Sequence, residues 1–571
     1  MMPIVQSLMA GTLTRAWRRA RTPVVMASAT VDLDAQLDAA TRDVDMIRAA
    51  QALNDNRLDI AEALLRARLK ARPHEVAAIR MLAELAGRLG RYADAETLLR
   101  RALALAPGFD AARHNLAVVL HRQSKVEEAL VEIDALMQRD PHAPGYRILR
   151  AAILVRLGEY TQAIATYDEV LAAHPAQAKT WMSYGHALKT VGRQADSITA
   201  YRTALAETPS LGEAWWSLAN LKTVRFDDAD IAAMRAALAG ELDDEERYHL
   251  DFALGKALED RADYAASFRH YAAGNALRRA GLDYDAADTT AAMEAARALF
   301  TREFFAARAG QGCPDPDPIF VVGLPRSGST LIEQILSSHS LVEGTMELPD
   351  VNALARRLGA RAKGDPGERY AERLRGLGAD ELAALGREYL DRTRVQRKTA
   401  KPLFIDKMPN NFAHVGLIHL MLPRAKIIDA RRHPLGCCFS GFKQHFARGQ
   451  AFTYDLGDIG AYWRDYAALM AHFDDVLPGR VHRVDYETMI ADPDTEIAAL
   501  LAYCGLDYEP ACRNFHETDR AVRTASSEQV RQPLYASAVD HWQHYNLWLG
   551  PLKDSLGKAL DSYAIVSQPI P

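Results

Sequence analysis

The sequence predicts an α plus α/β protein, in which a superhelix of repeated helix pairs precedes a domain built on a mostly parallel sheet. Three observations support this prediction: a period of 34 residues in the first half, short apolar runs alternating with helical patterns in the second, and a Gly/Pro-rich stretch at residues 310–318. A chain of 571 residues is too long for one core. We therefore expect an N-terminal segment (1–41, partly disordered), a repeat domain (42–283), a helix and linker (284–316) and an α/β domain (317–571).

The repeat is marked by proline at a constant spacing. Small residues and turn residues recur in the same register, as expected where two helices approach closely and the first must end. This pattern resembles the tetratricopeptide-repeat family, which implies a concave surface that often holds a peptide or partner protein. A homodimer interface is the alternative use of such a surface. The prolines, each 34 residues from the next, are Pro73, Pro107, Pro141, Pro175 and Pro209.

Amino-acid composition and net charge limit the classes of partner that the protein is expected to bind. The apolar fraction of 49% and charged fraction of 25% are those of an ordinary folded protein. A net charge of -5 gives no reason to expect nucleic acid or an anionic membrane as partner. No apolar run approaches the roughly 20 residues of a membrane span. Five scattered cysteines favour a reducing, cytoplasmic setting. The arginine-rich residues 1–30 are expected to be a poorly ordered tail, with an organelle presequence or a membrane-touching helix as alternatives.

A phosphate-binding loop is the strongest motif of the second half. Residues 318–330, PIFVVGLPRSGST, combine an apolar strand, a Gly/Pro/Ser loop and a helix start. A helix N-terminus offers unpaired N–H groups to an anion. The loop lacks the lysine of a Walker A loop, which argues against a kinase or nucleotide hydrolase. The candidate ligand-binding residues here are Arg326, Ser327, Gly328, Ser329 and Thr330.

Further strands are predicted at residues 402–406, 425–430 and 480–484, with helical patterns between them. Ligands of parallel sheets bind beyond the carboxyl ends of the strands. The polar residues at those ends therefore become candidates. They are Lys407 after the second strand, Arg431 and Arg432 after the third, and Asp485 and Tyr486 after the fourth.

Four segments in this order resemble the sulfotransferases that use 3′-phosphoadenosine 5′-phosphosulfate (PAPS), and most of all their protein-tyrosine branch. The segments are PRSGST at 325–330, RRHPLGCCFS at 431–440, DYETMIADP at 485–493 and SSEQVRQPLY at 526–535. The resemblance implies that Arg326 and its loop hold the 5′-phosphosulfate and that Arg432 with Ser440 holds the 3′-phosphate. It places Tyr486 near the nucleotide, and Ser526 and Arg531 in a loop that covers it.

The resemblance also implies the catalytic groups. Sulfuryl transfer is similar to phosphoryl transfer, so positioning and charge stabilisation carry the catalysis. Lys407, in FIDKMPN, is the candidate for stabilising the leaving phosphate, together with Arg326. Glu347 falls on the position of the general base, and no metal is required. Glu343 and Asp350 are nearby alternatives for the base, and His339 is a further candidate that ranks below Glu347.

Two positions depart from the tyrosine branch: Pro349 and Gln444 stand where that branch has arginine. The first weakens the tyrosine assignment more than the sulfotransferase assignment. We predict a PAPS-dependent sulfotransferase acting on a hydroxyl of a protein or peptide, most simply tyrosine, which the repeats would hold. The alternatives are a carbohydrate or small-molecule hydroxyl, and a repeat scaffold with an inactive sulfotransferase domain.

Overall fold

The computed structural model describes residues 33–360, 366–447, 449–518, 520–522, 524, 527–534, 539–561 and 563. The predicted N-terminal tail lies outside these residues. The chain divides into two compact units between Arg156 and Leu157. The division falls inside the repeat array, so each unit contains helix pairs.

The first unit consists of antiparallel helix pairs, as the period predicts. Alanine and leucine side chains at the pair contacts, such as Ala61 and Leu65, are fully buried. The residues at the predicted turns, Asn56, Gly90 and Ser124, adopt positive φ, which ends the first helix of each pair. The helices are Leu33–Arg42, Val44–Asn54, Leu58–Ala71, Val76–Arg88, Tyr92–Leu105, Asp110–Arg122, Val126–Met137 and Pro144–Leu157.

Helix pairs continue through the first part of the second unit. The predicted small residues do lie where helices approach closely: a Cβ on Gly185 would stand 2.6 Å from the Tyr201 ring, and one on Gly255 would stand 2.7 Å from the Tyr271 ring. The helices here are Tyr160–Ala173, Ala178–Thr190, Gln194–Glu207, Gly212–Asn220, Asp228–Leu238, Asp244–Glu259 and Tyr264–Ala280, followed by Ala286–Leu299 and Arg302–Ala306.

The α/β part contains a five-stranded parallel sheet in the order β2-β3-β1-β4-β5. The strands are β1 Pro318–Gly323, β2 Val342–Gly344, β3 Leu403–Lys407, β4 Lys426–Arg431 and β5 Val481–Asp485. Four of them confirm the predicted strands within one or two residues. The edge strand β2 was not predicted, because three residues are too few for a hydrophobic pattern to show.

Helices and 3-10 turns connect the strands. After β3 the chain forms a 3-10 turn, Pro409–His414, which is followed directly by the helix Val415–Met421. The α-helices are Ser329–Ser337, Asp350–Ala360, Pro366–Arg375, Ala379–Thr393, Val415–Met421, Pro434–Phe442, Leu456–Val476, Tyr486–Ala491, Pro493–Cys504, Pro510–Arg513 and Gly550–Leu556. The remaining 3-10 turns are Arg394–Gln396, Ala451–Tyr454, Phe515–Glu517, Gln529–Arg531, His541–Trp548 and Gly557–Ala559.

The repeats of the second unit share one core with the α/β part. Trp216, Phe252 and Tyr271 belong to the same buried cluster as Phe439 and Tyr545. Polar contacts cross the same boundary. Ser267 and Tyr545 are joined through their hydroxyl groups at 2.8 Å, and the amide of Asn275 donates to the carbonyl of Phe442 at 2.9 Å. These repeats therefore form part of the wall around the sheet's carboxyl end.

Candidate active site

The phosphate loop follows β1 and turns sharply into the helix Ser329–Ser337. Arg326 and Gly328 adopt positive φ, 70° and 97°. Gly323 also lies in that region, and a Cβ on it would stand 2.4 Å from the carbonyl oxygen of Ala430. Ser327 is buried beneath the loop. The loop thus presents the first N–H groups of the helix to an anion, as the sequence predicts.

Arg326 reaches across the loop to residues that the sequence analysis assigned to the other end of the nucleotide. Its Nε donates to Ser440 Oγ at 3.1 Å, and its Nη2 donates to Gln529 Oε1 at 3.3 Å. Arg432 Nη1 donates to the carbonyl of Arg326 at 3.4 Å. Arg326, Arg432 and Ser440 therefore belong to one group of contacts.

The ring of Tyr486 packs against this group of residues. The guanidinium of Arg432 lies 4.9 Å from the centre of the Tyr486 ring. Glu487 stands 4.0 Å from Arg432 Nε, and burial raises the pKa of that carboxyl group. Gly328 is in contact with the same ring, since a Cβ there would stand 2.7 Å from Tyr486 Cδ2. Tyr486 thus fixes both the loop and Arg432.

These residues line a cavity of about 340 Å³, within the range of small-ligand sites. Six basic side chains line it with two carboxylates, an excess of four positive charges. Three of the basic residues, and both acids, come from the repeats. The basic residues are Lys222, Arg225, Lys256, Arg326, Arg432 and Lys443, and the acids are Glu259 and Asp260.

Lys407 and Glu347 form an ion pair beside the loop. Lys407 ends β3 opposite Val321 of β1, and its Nζ donates to Glu347 Oε1 at 2.5 Å. The lysine side chain is 1% exposed, whereas that of Glu347 is 44% exposed. The buried Glu333 stands 3.9 Å from the same Nζ and also pairs with Arg520 at 3.0 Å. The arrangement gives a buried cation with an accessible carboxylate next to it.

The alternative bases are all engaged elsewhere. Glu343 is buried and accepts hydrogen bonds from the backbone N–H groups of Lys398 and Thr399 and, at 2.8 Å, from Thr399 Oγ1. Asp350 is buried and pairs with Arg392 at 2.9 Å. The oxygens of these two carboxylates are thus engaged in contacts that hold the surrounding chain in place.

His339 is buried just beyond the end of the helix Ser329–Ser337. Its Nε2 lies 3.0 Å from the carbonyl of Asp507, and its Nδ1 accepts the N–H of Leu341 at 3.1 Å. Both ring nitrogens are therefore used in packing the chain. This placement agrees with ranking His339 below the carboxylates.

The covering loop is described only in part. Ser526 lies outside the described residues. Arg531 is turned toward the repeat helices: its Nη2 donates to the carbonyls of Thr190 at 3.2 Å and Arg520 at 3.0 Å. Its neighbours Gln529 and Val530 line the cavity. Thr330 Oγ1 donates to Thr524 Oγ1 at 3.3 Å, which ties the phosphate loop to this segment.

Sequence reasoning missed the residues that the repeats and the loop helix contribute. Glu333 lies one turn after Ser329 on a helix already singled out, so helical spacing could have found it. Trp216 is 8% exposed, as expected for a packed side chain, and it also lines the cavity. Lys222 gave one signal only, a break in the 34-residue period.

No group of three or more His, Cys, Asp or Glu side chains is arranged to hold a metal ion within the described ranges. In the same part of the chain, no helix combines the length and apolar character that crossing a membrane requires. All five cysteines are buried as free thiols.

Residues 318–510 match the protein-family model described as "Sulfotransferase family". The α/β part of this chain is a sulfotransferase-family domain. Tetratricopeptide-repeat models match residues 48–108, 88–153 and 148–211, so the repeats that precede the sulfotransferase-family domain are also assigned.

Two curated relatives are similar to parts of the chain. An uncharacterized protein of Aquifex aeolicus is 35% identical over 310 residues, which is 53% of this chain and 41% of that protein. A Caenorhabditis briggsae protein named "Putative protein-tyrosine sulfotransferase" is 24% identical over 232 residues, 39% of this chain and 80% of that protein. The chain thus spans less than half the length of the first relative.

Solved structures show similarity to each half separately. The sulfotransferase domain of the Synechococcus olefin synthase aligns over 46% of this chain and 98% of its own, with 19% identity and a TM-score of 0.35. A thermophilic tetratricopeptide-repeat protein of Thermus thermophilus aligns over 31% of this chain and 98% of its own, with 24% identity and a TM-score of 0.28.

Proposed function

We propose that this protein transfers a sulfuryl group from PAPS to a hydroxyl group of a protein or peptide, with tyrosine as the first candidate. The observation that carries the proposal is one cavity lined by both the phosphate loop and the Arg432–Ser440–Tyr486 group. A nucleotide with phosphate groups at two positions needs anion-binding groups for both of them on one wall. This cavity is lined by the start of the loop helix, by Arg432 with Ser440, and by six basic residues against two acidic ones.

The loop suits the sulfated end of the donor. The helix N-terminus at Ser329 offers N–H groups and a partial positive charge to the 5′-phosphosulfate. Ser327, Ser329 and Thr330 supply hydroxyl groups around the same turn. Arg432 and Ser440 lie beyond Arg326 and suit the 3′-phosphate by charge-assisted hydrogen bonds.

The Lys407–Glu347 pair suits the transfer step. The acceptor hydroxyl loses its proton to the Glu347 carboxylate while its oxygen bonds to sulfur. The bond between sulfur and the 5′-phosphate oxygen breaks, and the phosphate keeps the electron pair. Lys407 stabilises the charge that develops on that oxygen, in a buried site where a fixed cation acts strongly.

Glu347 is suited to the base role because its carboxylate is both held in position and accessible. Oε1 accepts the Lys407 hydrogen bond, which holds the carboxylate in place. The side chain is exposed enough for a hydroxyl to approach. Glu343 and Asp350 lack this combination, since both are buried within hydrogen bonds or ion pairs.

The tyrosine acceptor is supported by the resemblance of the four motifs and by the likeness to the Caenorhabditis protein. Pro349 is the observation that favours a different hydroxyl, because the tyrosine branch has arginine at that position. A carbohydrate or small-molecule hydroxyl is therefore the second candidate acceptor.

The experiment that tests the proposal is transfer from ³⁵S-labelled PAPS. The full chain is incubated with an acidic tyrosine peptide, a glycan, a simple phenol and a bacterial lysate, and the labelled product is identified by mass spectrometry. We expect label on a hydroxyl group, with tyrosine peptides labelled fastest. Glu347→Gln is expected to reduce transfer about 10²–10⁴-fold, the usual contribution of a general base.

The outcomes separate the candidates. Transfer to the glycan or the phenol in preference to the peptide would contradict the tyrosine acceptor and keep the sulfotransferase. Tight binding of PAPS with no transfer to any acceptor would favour a scaffold with an inactive domain. Hydrolysis of ATP that PAPS does not inhibit would contradict the proposed donor.

A further inference from the structure

The repeat array departs from its period where it reaches the cavity. The first helix of the sixth pair, Gly212–Asn220, has 9 residues, whereas Ala178–Thr190 in the preceding pair has 13. The pair is shortened by about one helical turn. The turn residue with positive φ therefore comes early. It stands at Asn56, Gly90, Ser124, Gly158 and Gly192 at intervals of 34, and then at Lys222 after only 30.

Lys222 occupies this turn with φ of 65°. The left-handed conformation belongs to the repeat, and glycine adopts it most easily. A lysine in this conformation raises the backbone energy by about 1 kcal/mol or more. Backbone conformation therefore does not explain why a lysine occupies this position. What distinguishes the position is that Lys222 lines the cavity together with Arg326 and Lys443.

The other basic residues that the repeats bring to the cavity already have partners. Arg225 and Lys256 both form ion pairs with Asp260. Lys443, from the sulfotransferase domain, pairs with Glu259 at 2.5 Å. The two carboxylates of the cavity are thus occupied.

Lys222 has no such counter-charge in the part of the chain that the structure describes, where no carboxylate forms an ion pair with it. Burial and the fields of Arg326, Lys189, Lys443 and Lys256 all lower the pKa of its ammonium group well below the usual value. Lys222 is half-buried, and a desolvated cation among other cations is unfavourable unless an anion joins it.

The anion-binding elements of the sulfotransferase domain meet Lys222 in the same cavity. Gln444, which follows Lys443, is neutral, and its amide donates to the carbonyl of His445 at 3.1 Å, so it contributes no charge. We infer that Lys222 is a donor-binding residue, whose ammonium contacts a phosphate group of the nucleotide beside Arg326. The shortened sixth repeat then completes the donor site. This inference rests on the proposed function, which makes the nucleotide the occupant.

The test measures binding of 3′-phosphoadenosine 5′-phosphate, the sulfate-free product, to the full chain by isothermal titration calorimetry. Lys222→Met removes the charge and keeps most of the stem. We expect it to weaken binding about 10- to 100-fold, as for loss of one charge-assisted hydrogen bond. Lys222→Arg keeps the charge and should recover most of the affinity. Lys179→Met, at an exposed lysine of the preceding repeat, is the matched control and should bind within about twofold of wild type.

A second variant separates ligand binding from a structural role. Lys222→Gly removes both the repelled charge and the backbone strain, so the ligand-free protein should melt at a higher temperature. The same variant should bind the nucleotide more weakly. Stability and affinity therefore change in opposite directions if Lys222 serves the ligand.

The results distinguish failure of this inference from failure of the proposed function. Wild-type binding that Lys222→Met leaves unchanged would overturn the inference and leave the donor site of the sulfotransferase domain intact. Loss of affinity in Lys222→Met and Lys222→Arg alike, with a lower melting temperature in both, would also overturn it by showing a packing role. A wild type that binds no nucleotide would refute the proposed donor and this inference together.

Discussion

Replacing Gly328 by alanine tests whether Tyr486 and the phosphate loop act as one element. Gly328 precedes the loop helix at φ of 97°, and an added Cβ would stand 2.7 Å from Tyr486 Cδ2. Heavy atoms do not approach so closely, so the ring or the loop must move. The Tyr486 ring also lies 4.9 Å from the Arg432 guanidinium. Gly328→Ala therefore disturbs the loop and the proposed 3′-phosphate ligand at once.

The magnitude follows from these contacts. A non-glycine residue in the left-handed region costs about 1–2 kcal/mol in backbone energy, which lowers stability. Moving the ring away from Arg432 costs the bound state about 0.5–2 kcal/mol of cation–π and positioning energy. A loss of 1–2 kcal/mol in binding corresponds to an affinity about 5- to 30-fold lower.

Isothermal titration calorimetry with 3′-phosphoadenosine 5′-phosphate measures this effect directly. Gly479→Ala is the matched control, because Gly479 has φ of 74° and no atom within 4 Å of an added Cβ. It carries the backbone cost without the ring contact, and should lose stability while keeping its affinity. If Gly328→Ala binds the nucleotide as tightly as Gly479→Ala does, the assignment of Tyr486 to the donor site is refuted.

Three further predictions follow from the site and its support. Lys407→Met should abolish most transfer. The double variant with Glu347→Gln should lose less kcat than the two single losses combined, because the two side chains act as a pair. Additive losses in kcat would contradict this. Burial alone would raise the pKa of Glu259, but Lys443, His541 and Lys256 outweigh it and lower the pKa from the usual 4.5 to about 2. Glu259 thus contributes about 3 kcal/mol of stability that is present above pH 4.5 and is lost as the pH falls toward 2, so Glu259→Gln should be less stable than wild type at pH 7 and nearly equal to it at pH 2, as measured by urea unfolding. A chain beginning at residue 157 should remain folded. A chain beginning at residue 284 should aggregate, because this truncation exposes the core that Phe439 and Tyr545 share with the repeats. A folded, monomeric chain from residue 284 would show that this shared core is dispensable.

The repeats and most of the sheet follow from local pattern. Each helix pair repeats one arrangement, so proline, small and turn residues mark it at a fixed spacing. The strands β1, β3 and β4 are buried on both faces, which gives continuous apolar runs that predict them. The strand Val342–Gly344 has three residues and escaped prediction because its pairing with β3 depends on tertiary contact.

The site was predictable where one motif carries one role. Lys407 and Glu347 were placed by separate motifs, and the structure brings them within 2.5 Å. The link between Arg326 and Ser440 was not predictable, because it depends on where a loop and a helix meet in space, 114 positions apart in the sequence. The family resemblance implies that Arg531 lies in a loop that covers the nucleotide, yet its guanidinium donates to the backbone carbonyl of Thr190 at the end of the helix Ala178–Thr190.

The sequence did not predict that different repeats of the array have different surroundings. A regular array suggests one binding surface along its whole length, and the sequence analysis assigned the acceptor to all of it. The structure separates the helix pairs into two units, and those of the second unit share the core and the cavity of the sulfotransferase domain. Lys222 and Trp216 line this cavity, so they are not part of a surface that binds a peptide elsewhere on the repeats. The break in the 34-residue period at Lys222 therefore coincides with the point where the array lines this cavity, whereas the helix pairs before residue 157 keep the period.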